Sequence, residues 1–193
     1  MKTTLLALLL LSTGLTQAQP VPPEAPAVAR RGLLFGAALG PAATHLRAAG
    51  TRRQGTDLGL NWKLGYALTP RLALLLNGSA AVYASAGPDR PRKRDFGGVF
   101  PAVQYWPGRR VWLLGGLGLG TDAPVFYDVQ PEQPGENAYY TGPALIGSVG
   151  YELYQRGRLA LDLQLRTTYA RVAVPGGRVQ GFSTGLLLGL NLY

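Results

Sequence analysis

The chain has 193 residues, which suits one domain, and it combines 27 glycines and 15 prolines with a low charged fraction of 15%. It has no cysteine, so a disulfide framework, a thiolate metal site and a lipid-anchored cysteine are excluded. The formal net charge of +9 indicates an anionic partner, but nucleic acid, anionic lipid and phosphorylated glycolipid would all satisfy it.

The amino-terminal segment has the parts of a secretory signal peptide, which we assign to residues 1–18. Lys2 gives a positive start, residues 5–11 form an apolar run too short to span a bilayer, and small residues precede an expected cut after Ala18. Residues 19–31 are rich in proline and alanine, so we expect an extended, unpacked periplasmic linker. The apolar runs that follow are too short for a transmembrane helix.

The rest of the chain alternates between large apolar residues and polar or small ones with a period of two. In residues 57–68 every even-numbered residue is Leu, Trp or Tyr, and the odd-numbered residues are Asp, Gly, Asn, Lys and Ala. A period of two is the spacing of side chains along a β-strand. The pattern predicts eight strands, at residues 32–43, 57–68, 71–83, 96–106, 111–120, 141–154, 158–171 and 179–193.

The connections between these strands alternate in length. Tight turns are expected at residues 69–70, 107–109 and 155–157, and longer loops at 44–56, 84–95, 121–140 and 172–178. Aromatic residues gather near both ends of the strands, although Trp62 does not fit either group. Short turns at one end, long loops at the other and two aromatic belts are typical of outer-membrane barrels. The predicted fold is all-β: an eight-stranded antiparallel up-and-down transmembrane β-barrel over residues 32–193.

The chain resembles the small bacterial outer-membrane β-barrels, a family that includes the transmembrane domain of outer membrane protein A. The resemblance lies in the alternating strand pattern, the up-and-down topology and the carboxy-terminal aromatic Tyr193. The last strand departs from the family, because Asn191 rather than an apolar residue is in phase with Tyr193. The resemblance implies a monomer in the cell outer membrane, in contact with lipid and lipopolysaccharide. It also implies periplasmic chaperones and the barrel-assembly machinery as partners, with no nucleic acid and no cofactor.

The polar face of the strands predicts a charge network inside the barrel. Alternation turns three acids and three bases inward, and together they sum to zero charge: Asp57, Lys63, Arg71, Glu152, Asp162 and Arg166. Buried charges persist when they are paired. We expect Lys63 near Glu152 and Asp162, Asp57 together with Arg166, and Arg71 at the turn end. Such an interior would plug a barrel of this size.

The first two long loops are basic and are expected to bind lipopolysaccharide phosphates, because arginine pairs bidentately with phosphate. The residues concerned are Arg47, Arg52, Arg53, Arg90, Arg92, Lys93 and Arg94. The third loop is acidic, and its spacing matches no calcium loop, so we expect plain solvation there. Its acids are Asp122, Asp128, Glu132 and Glu136.

We expect a structural or surface-interaction role without catalysis: envelope integrity, or contact with lipopolysaccharide or an external partner through the long loops. A narrow gated channel, a lipid A-modifying enzyme and a soluble secreted ligand-binding barrel are the alternatives. The enzyme would use His45, the one histidine, together with Ser85 and Asp89. The glycines of residues 115–120 lack the helix of a nucleotide-binding loop, and we expect them to line a crowded lumen. No metal site is predicted.

Overall fold

The computed structural model describes residues 30–48, 51–86, 90–129, 137–175 and 177–193. The predicted signal peptide and most of the predicted linker lie outside these residues. Within these residues eight strands follow one another along the chain, and a short 3₁₀ helix spans Phe126–Asp128. The strands are β1 Gly32–Ala48, β2 Thr51–Thr69, β3 Leu72–Ser85, β4 Arg92–Tyr105, β5 Val111–Pro124, β6 Tyr140–Arg156, β7 Leu159–Val174 and β8 Gly177–Leu192.

The strands form one closed barrel in sequence order. Each strand pairs antiparallel with its neighbours in the chain, and β1 pairs with β8 to close the sheet, from Phe35 opposite Leu192 to Ala48 opposite Val179. Closure leaves no sheet edge unpaired, which a hydrocarbon environment requires. The predicted eight-stranded antiparallel up-and-down barrel is therefore confirmed.

The outer wall of the barrel is apolar and the inner wall is mixed. Leu60, Leu163 and Leu190 are exposed on the outside, whereas their chain neighbours Asn61 and Gln164 are buried inside. Exposed apolar side chains cover the wall on every strand, far beyond the patches that a protein in water tolerates. A lipid bilayer removes this cost, so the wall is a transmembrane surface.

The strands extend further at the loop end than the sequence indicated. The predicted loop at 44–56 is wrong: β1 continues to Ala48, and β2 begins at Thr51, with His45 paired to Gln54. The predicted loop at 172–178 is likewise mostly strand, since β7 reaches Val174 and β8 begins at Gly177. The apolar pattern stops where the bilayer ends, but backbone pairing does not require apolar side chains and continues beyond it.

The opposite end has the expected tight turns. The chain passes from Thr69 to Leu72, from Tyr105 to Val111 and from Arg156 to Leu159. Gly157 has φ of +58°, a left-handed conformation that glycine adopts without a Cβ clash. The tight turn predicted at residues 155–157 is therefore confirmed.

The aromatic belts are thinner than the sequence indicated, because several aromatic side chains point inward. Outside, Tyr66, Tyr105, Tyr151 and Tyr154 form the turn-end belt. The buried aromatic residues belong to the interior core instead: Tyr83, Phe96, Trp106, Trp112 and Tyr193. Each ring lies on the wall that its position in the strand dictates, because successive side chains point alternately outward and inward. The number of aromatic residues near a strand end does not show which of them point outward.

Two glycines explain where two tryptophans lie. Trp62 faces lipid, and its indole covers its cross-strand partner Gly78: a Cβ there would lie 2.1 Å from Trp62 Nε1. Inside, Trp112 covers Gly150 in the same way, with a hypothetical Cβ 2.2 Å from Trp112 Cε2. An aromatic ring packed over a facing glycine replaces the packing that the glycine lacks. This gives Trp62 a structural reason outside the belts.

Small residues make room inside the crowded lumen. A Cβ on Gly120 would lie 2.5 Å from the Cβ of Ala170 and 2.9 Å from that of Ala144. Gly118 approaches the backbone of Val99 as closely. Gly116, Gly118 and Gly120 therefore have the predicted packing role, whereas Gly115 is exposed and has no neighbour that a Cβ would meet.

Candidate functional site

The turn-end mouth of the lumen is closed by a cluster centred on Glu152, which we call the base plug. Arg30 Nη2 lies 2.5 Å from Glu152 Oε2, and Trp106 Nε1 and Tyr193 Oη donate to Oε1 at 2.8 and 2.6 Å. Gln155 also donates to this carboxylate. The Arg30 guanidinium lies 5.0 Å from the centroid of the Trp106 ring, a cation–π contact. One buried carboxylate thus holds four side chains across the mouth.

The middle of the lumen is organised around Asp162, in the cluster we call the middle layer. Trp112 Nε1 and Asn191 Nδ2 donate to Asp162 Oδ2 at 2.9 and 2.8 Å. Lys63 Nζ lies 3.9 Å from the same oxygen and 4.0 Å from the centroid of the Trp112 ring, and donates to Gln104 Oε1 at 3.4 Å. These side chains are all buried. The layer blocks the lumen with hydrogen-bonded groups, and a buried charge needs such partners.

Arg166 lies one row above the middle layer and is linked to it through an amide. Its Nη2 donates to Gln164 Oε1 at 2.6 Å, and Gln164 Nε2 donates to Asp162 Oδ1 at 3.3 Å. Arg166 Nη1 also reaches the Leu60 carbonyl at 3.4 Å. The predicted inward positions of Lys63, Glu152, Asp162 and Arg166 agree with their burial.

Two members of the predicted network lie elsewhere. Asp57 pairs with Lys93 near the loop end instead of with Arg166. Arg71 is exposed in the first turn and does not enter the lumen, because the chain leaves the strand at Thr69 before the alternation can carry it inward. The four charges that remain are still two acids and two bases. Lys63 lies in the expected neighbourhood of Asp162 and Glu152, which are opposite each other across β6 and β7, but the close cation of Glu152 is Arg30.

Sequence reasoning missed Arg30 and Tyr193 as parts of the plug. Arg30 was assigned to an unpacked linker, and nothing in its local composition distinguishes it from Arg31. Tyr193 carried a signal that was available: it is in phase with Asn191, and both side chains are buried. Strand β8 keeps its alternation through Leu192, opposite Leu159 of β7, so the polar residue in the last strand marks a lumen position and not a slipped register.

The loop end of the lumen is closed by Asp122. Tyr83 Oη donates to its carboxylate at 2.9 Å, and Arg94 Nε donates to Oδ1 at 2.7 Å. Arg94 also reaches the Ala138 carbonyl at 3.1 Å and lies over the Tyr140 ring. The expected solvation of Asp122 is wrong, because this acid binds a phenol and a guanidinium inside the barrel.

Asp128 fastens the loop between β5 and β6 to the start of β4, an arrangement we call the loop clamp. Arg90 Nη2 donates to Asp128 Oδ1 at 2.5 Å, and the Lys93 amide donates to Oδ2 at 2.5 Å. Arg92 Nε lies 3.4 Å from Oδ2. The hydrogen bond from Lys93 N and the charge of Arg90 lower the pKa of the Asp128 carboxyl. Solvation was expected here too; Glu132 and Glu136 lie outside the described residues.

We expect Asp128→Asn to open the loop clamp. The neutral amide cannot attract two guanidiniums, so hydrogen exchange at residues 125–129 should accelerate roughly tenfold, about the equilibrium effect of one hydrogen bond to a charged group. In the native protein the lowered pKa means that the clamp is intact above the unfolded carboxyl pKa and is lost as pH falls through the folded one. Asp57→Asn is the matched control, because it removes the ion pair with the Lys93 side chain and leaves Asp128 in place. Unchanged exchange in Asp128→Asn would contradict the clamp.

The basic residues expected to bind phosphate therefore separate into two groups. Arg90, Arg92, Lys93 and Arg94 are engaged by carboxylates of the chain itself. Arg53 donates to Ser85 Oγ at 2.7 Å. Arg47 and Arg52 lie in strands, not in a loop. They face each other directly across β1 and β2, and both are exposed.

Arg47 and Arg52 belong to a row that crosses four strands on the outer wall, which we call the outer arginine row. Its members are Arg52, Arg47, Gln180 and Arg171, on β2, β1, β8 and β7. The row one pleat closer to the membrane contains Gln54, His45, Phe182 and Tyr169. All of these residues except Arg171 border an open cleft of about 320 Å³. Within the described residues, the arginine side chains of the row make no hydrogen bond or ion pair.

Two of the three residues proposed for catalysis, His45 and Ser85, lie on opposite walls of the barrel. His45 lies on the outer wall with its ring centroid 5.0 Å from that of Phe182, whereas Ser85 is buried on the inner side. Asp89 lies outside the described residues. In the part of the chain that the structure describes, no group of three or more metal-ligating side chains could hold an ion, and no helix is long and apolar enough to span a bilayer.

No family model matches the sequence, and a search of curated proteins by sequence finds no match. Solved structures do match the fold. One is Ail, the attachment invasion locus protein of Yersinia pestis, in complex with the heparin analogue sucrose octasulfate; it has a TM-score of 0.50 and 13% identity, over 83% of this chain and 99% of that one. Neisserial surface protein A has a TM-score of 0.51 and 15% identity, over 83% and 98% of the two chains. The chain has the fold of a small outer-membrane β-barrel, and its apolar wall agrees with that location.

Proposed function

We propose that this chain is a closed outer-membrane barrel that acts at its surface, by binding the phosphate groups of lipopolysaccharide on the outer arginine row. The lumen offers no path for a solute, because the base plug, the middle layer and the Asp122 cluster occupy it in succession. What remains for interaction is the exterior and the loop end. The role is structural and involves no catalysis.

The observation that carries the proposal is the direct cross-strand pairing of Arg47 with Arg52. Like charges directly opposite each other destabilise a sheet, and neither guanidinium has a side-chain partner among the described residues. An anion between them would remove the repulsion. Arg171 extends the same row of cross-strand neighbours, two strands beyond Arg47. Guanidinium groups bind phosphate bidentately.

The level of the row indicates which phosphates it meets. Phe182 and Tyr169 lie one pleat below it on the outer wall, and aromatic rings gather at the boundary between hydrocarbon and headgroups. The arginines therefore lie at the level of the headgroups in the outer leaflet. Lipid A carries its phosphates there. Ail, bound to a sulfated heparin analogue, supplies a polyanion that can be tested as a competitor.

The test is the affinity of the barrel, refolded into liposomes, for fluorescently labelled lipid A supplied only to the leaflet at its loop end. We expect the triple variant Arg47→Gln/Arg52→Gln/Arg171→Gln to lose at least about tenfold in affinity, since each arginine near an anionic surface contributes about 1 kcal/mol. The native affinity should fall with added salt, which screens exposed charges. Sucrose octasulfate should compete with the native protein.

The matched control removes the same charge at the other end of the barrel, with Arg71→Gln/Arg110→Gln/Arg156→Gln. It should keep the native affinity for lipid A. Lipid A without its phosphates should bind the native protein as weakly as the triple variant of the outer arginine row does. Equal affinities of the two triple variants, both as tight as the native protein, would refute the proposal.

A further inference from the structure

The turn end of the barrel carries a ring of arginines that the proposed function does not use. Every turn contributes to it, and so does the residue before β1: Arg31, Arg71, Arg109, Arg110, Arg156 and Arg158. Lysine is absent from these positions. The acidic side chains nearest this end, Glu152 and Asp162, are buried, and Glu152 is already paired with Arg30. The exposed charge of this rim is therefore positive.

Four of these six guanidiniums have no partner within the part of the chain that the structure describes. Arg158 donates to the Tyr193 carbonyl, and Arg109 is also engaged. The side chains of Arg71, Arg110 and Arg156, one from each turn, are exposed and make no hydrogen bond or ion pair within the described residues. Internal packing or pairing therefore does not explain why arginine occupies all three turns.

A β-bulge in β6 turns part of this ring toward the membrane. The register between β6 and β7 shifts between Glu152 and Tyr154, so that Tyr154 lies opposite Leu161 and Arg156 opposite Leu159. Both leucine partners are on the outer wall, and Tyr154 is exposed with them. Arg156 is thus on the same wall as Tyr154 and about 7 Å below it, the distance of two strand residues. Without the extra residue, Arg156 would point into the lumen.

We propose that this ring binds the phosphates of anionic phospholipids in the periplasmic leaflet of the outer membrane. The short turns of such barrels face the periplasm. Tyr66, Tyr105, Tyr151 and Tyr154 mark the level where hydrocarbon ends, and the ring begins directly below it, at the depth of the lipid phosphates. A polymer of the periplasm would lie further from the wall, and Arg156 would not face it. The ring and the outer arginine row would then hold the barrel between two phosphate layers.

The experiment places a tryptophan reporter beside the ring. In a Trp62→Phe/Tyr154→Trp background, the tryptophan at 154 alone faces lipid, because Trp106 and Trp112 are buried. The full chain is refolded into phosphatidylcholine liposomes that contain a minor fraction of either phosphatidylglycerol or phosphatidylcholine, brominated near the headgroup. We expect phosphatidylglycerol to be enriched about fivefold at the reporter, the preference that one arginine near an anionic surface produces.

In the same reporter background, Arg71→Gln/Arg110→Gln/Arg156→Gln should reduce the enrichment of phosphatidylglycerol over phosphatidylcholine to about one. Heat-modifiable gel migration checks that this variant is folded. The triple variant of the outer arginine row, with the same loss of charge, should keep the native enrichment. Equal quenching by the two lipids in the reporter protein would overturn the proposal, and so would full enrichment in the turn-end variant. Binding to the cell wall would also overturn the proposal. It would be shown if the native protein co-sedimented with purified peptidoglycan, the turn-end variant did not, and lipid quenching showed no preference. None of these outcomes depends on lipid A binding at the other end.

Discussion

Replacement of Leu165 by arginine should destabilise the folded barrel by about 2–4 kcal/mol, the cost of an arginine on the lipid face near the middle of the bilayer. Leu165 is 48% exposed on the outer wall, between Val149 of β6 and Leu186 of β8. Along β7 it lies midway between Leu161, beside the turn-end belt, and Tyr169, in the loop-end belt. Equilibrium unfolding by urea in liposomes measures the change.

The matched control is the same substitution at the rim of the same strand. Leu159 begins β7 and faces the same lipid wall, so Leu159→Arg should cost only about 0–1 kcal/mol, as depth dependence requires. If both variants were destabilised equally, the wall would not be crossing a bilayer in the orientation described. If neither were destabilised, the apolar wall would not be facing lipid.

Loss of Lys63 should have an effect of similar size, by a different mechanism. Lys63→Met leaves Asp162 buried without its cation, which typically costs about 3–5 kcal/mol. The double variant Lys63→Met/Asp162→Asn removes the orphaned charge, so its destabilisation should be smaller than the sum of the two single effects. We expect a coupling energy of about 0.5–3 kcal/mol, the range for residues in one network.

Glu152 provides the comparison for this double-mutant cycle. It lies in the base plug, where Arg30 is its cation at 2.5 Å, whereas Lys63 Nζ is 3.9 Å from Asp162. The coupling of Lys63→Met with Glu152→Gln should therefore be smaller than that with Asp162→Asn. Additive effects in both cycles would indicate a wet lumen in which each charge is solvated alone. Equal coupling in both would contradict the assignment of Arg30, and not Lys63, as the close cation of Glu152.

The strand pattern could be predicted from the sequence because each strand has one face toward lipid and one face toward the polar lumen. Leu58 to Leu68 alternates with polar or small residues, and this contrast persists wherever one wall faces hydrocarbon and the other the lumen. The ends of the strands could not be predicted. Near His45 and Gln54 both walls lie outside the bilayer, so apolar and polar side chains no longer alternate. The strands still pair there, because backbone hydrogen bonds do not depend on the type of side chain.

The membership of the lumen could be predicted in part, and its pairing could not. Alternation assigned Lys63, Glu152, Asp162 and Arg166 to the inner wall. It could not indicate that Arg30, before the first strand, would bind Glu152, because contacts of that kind depend on how far neighbouring strands are staggered. Nor could it separate Arg47, whose guanidinium has no partner in the described chain, from Arg92, which Asp128 engages. That difference depends on the path of a loop.

The conductance of the purified native protein in a planar bilayer tests the closed lumen most directly. The base plug, the middle layer and the Asp122 cluster are all hydrogen-bonded and buried, so we predict no steady current above that of the bare bilayer. A variant with Trp106→Gly, Trp112→Gly and Tyr193→Gly, which removes the largest rings from the two lower layers, serves as the open control and should conduct. If the native protein showed stable, stepwise conductance as large as that of the open control, the barrel would not be closed and the account would be contradicted.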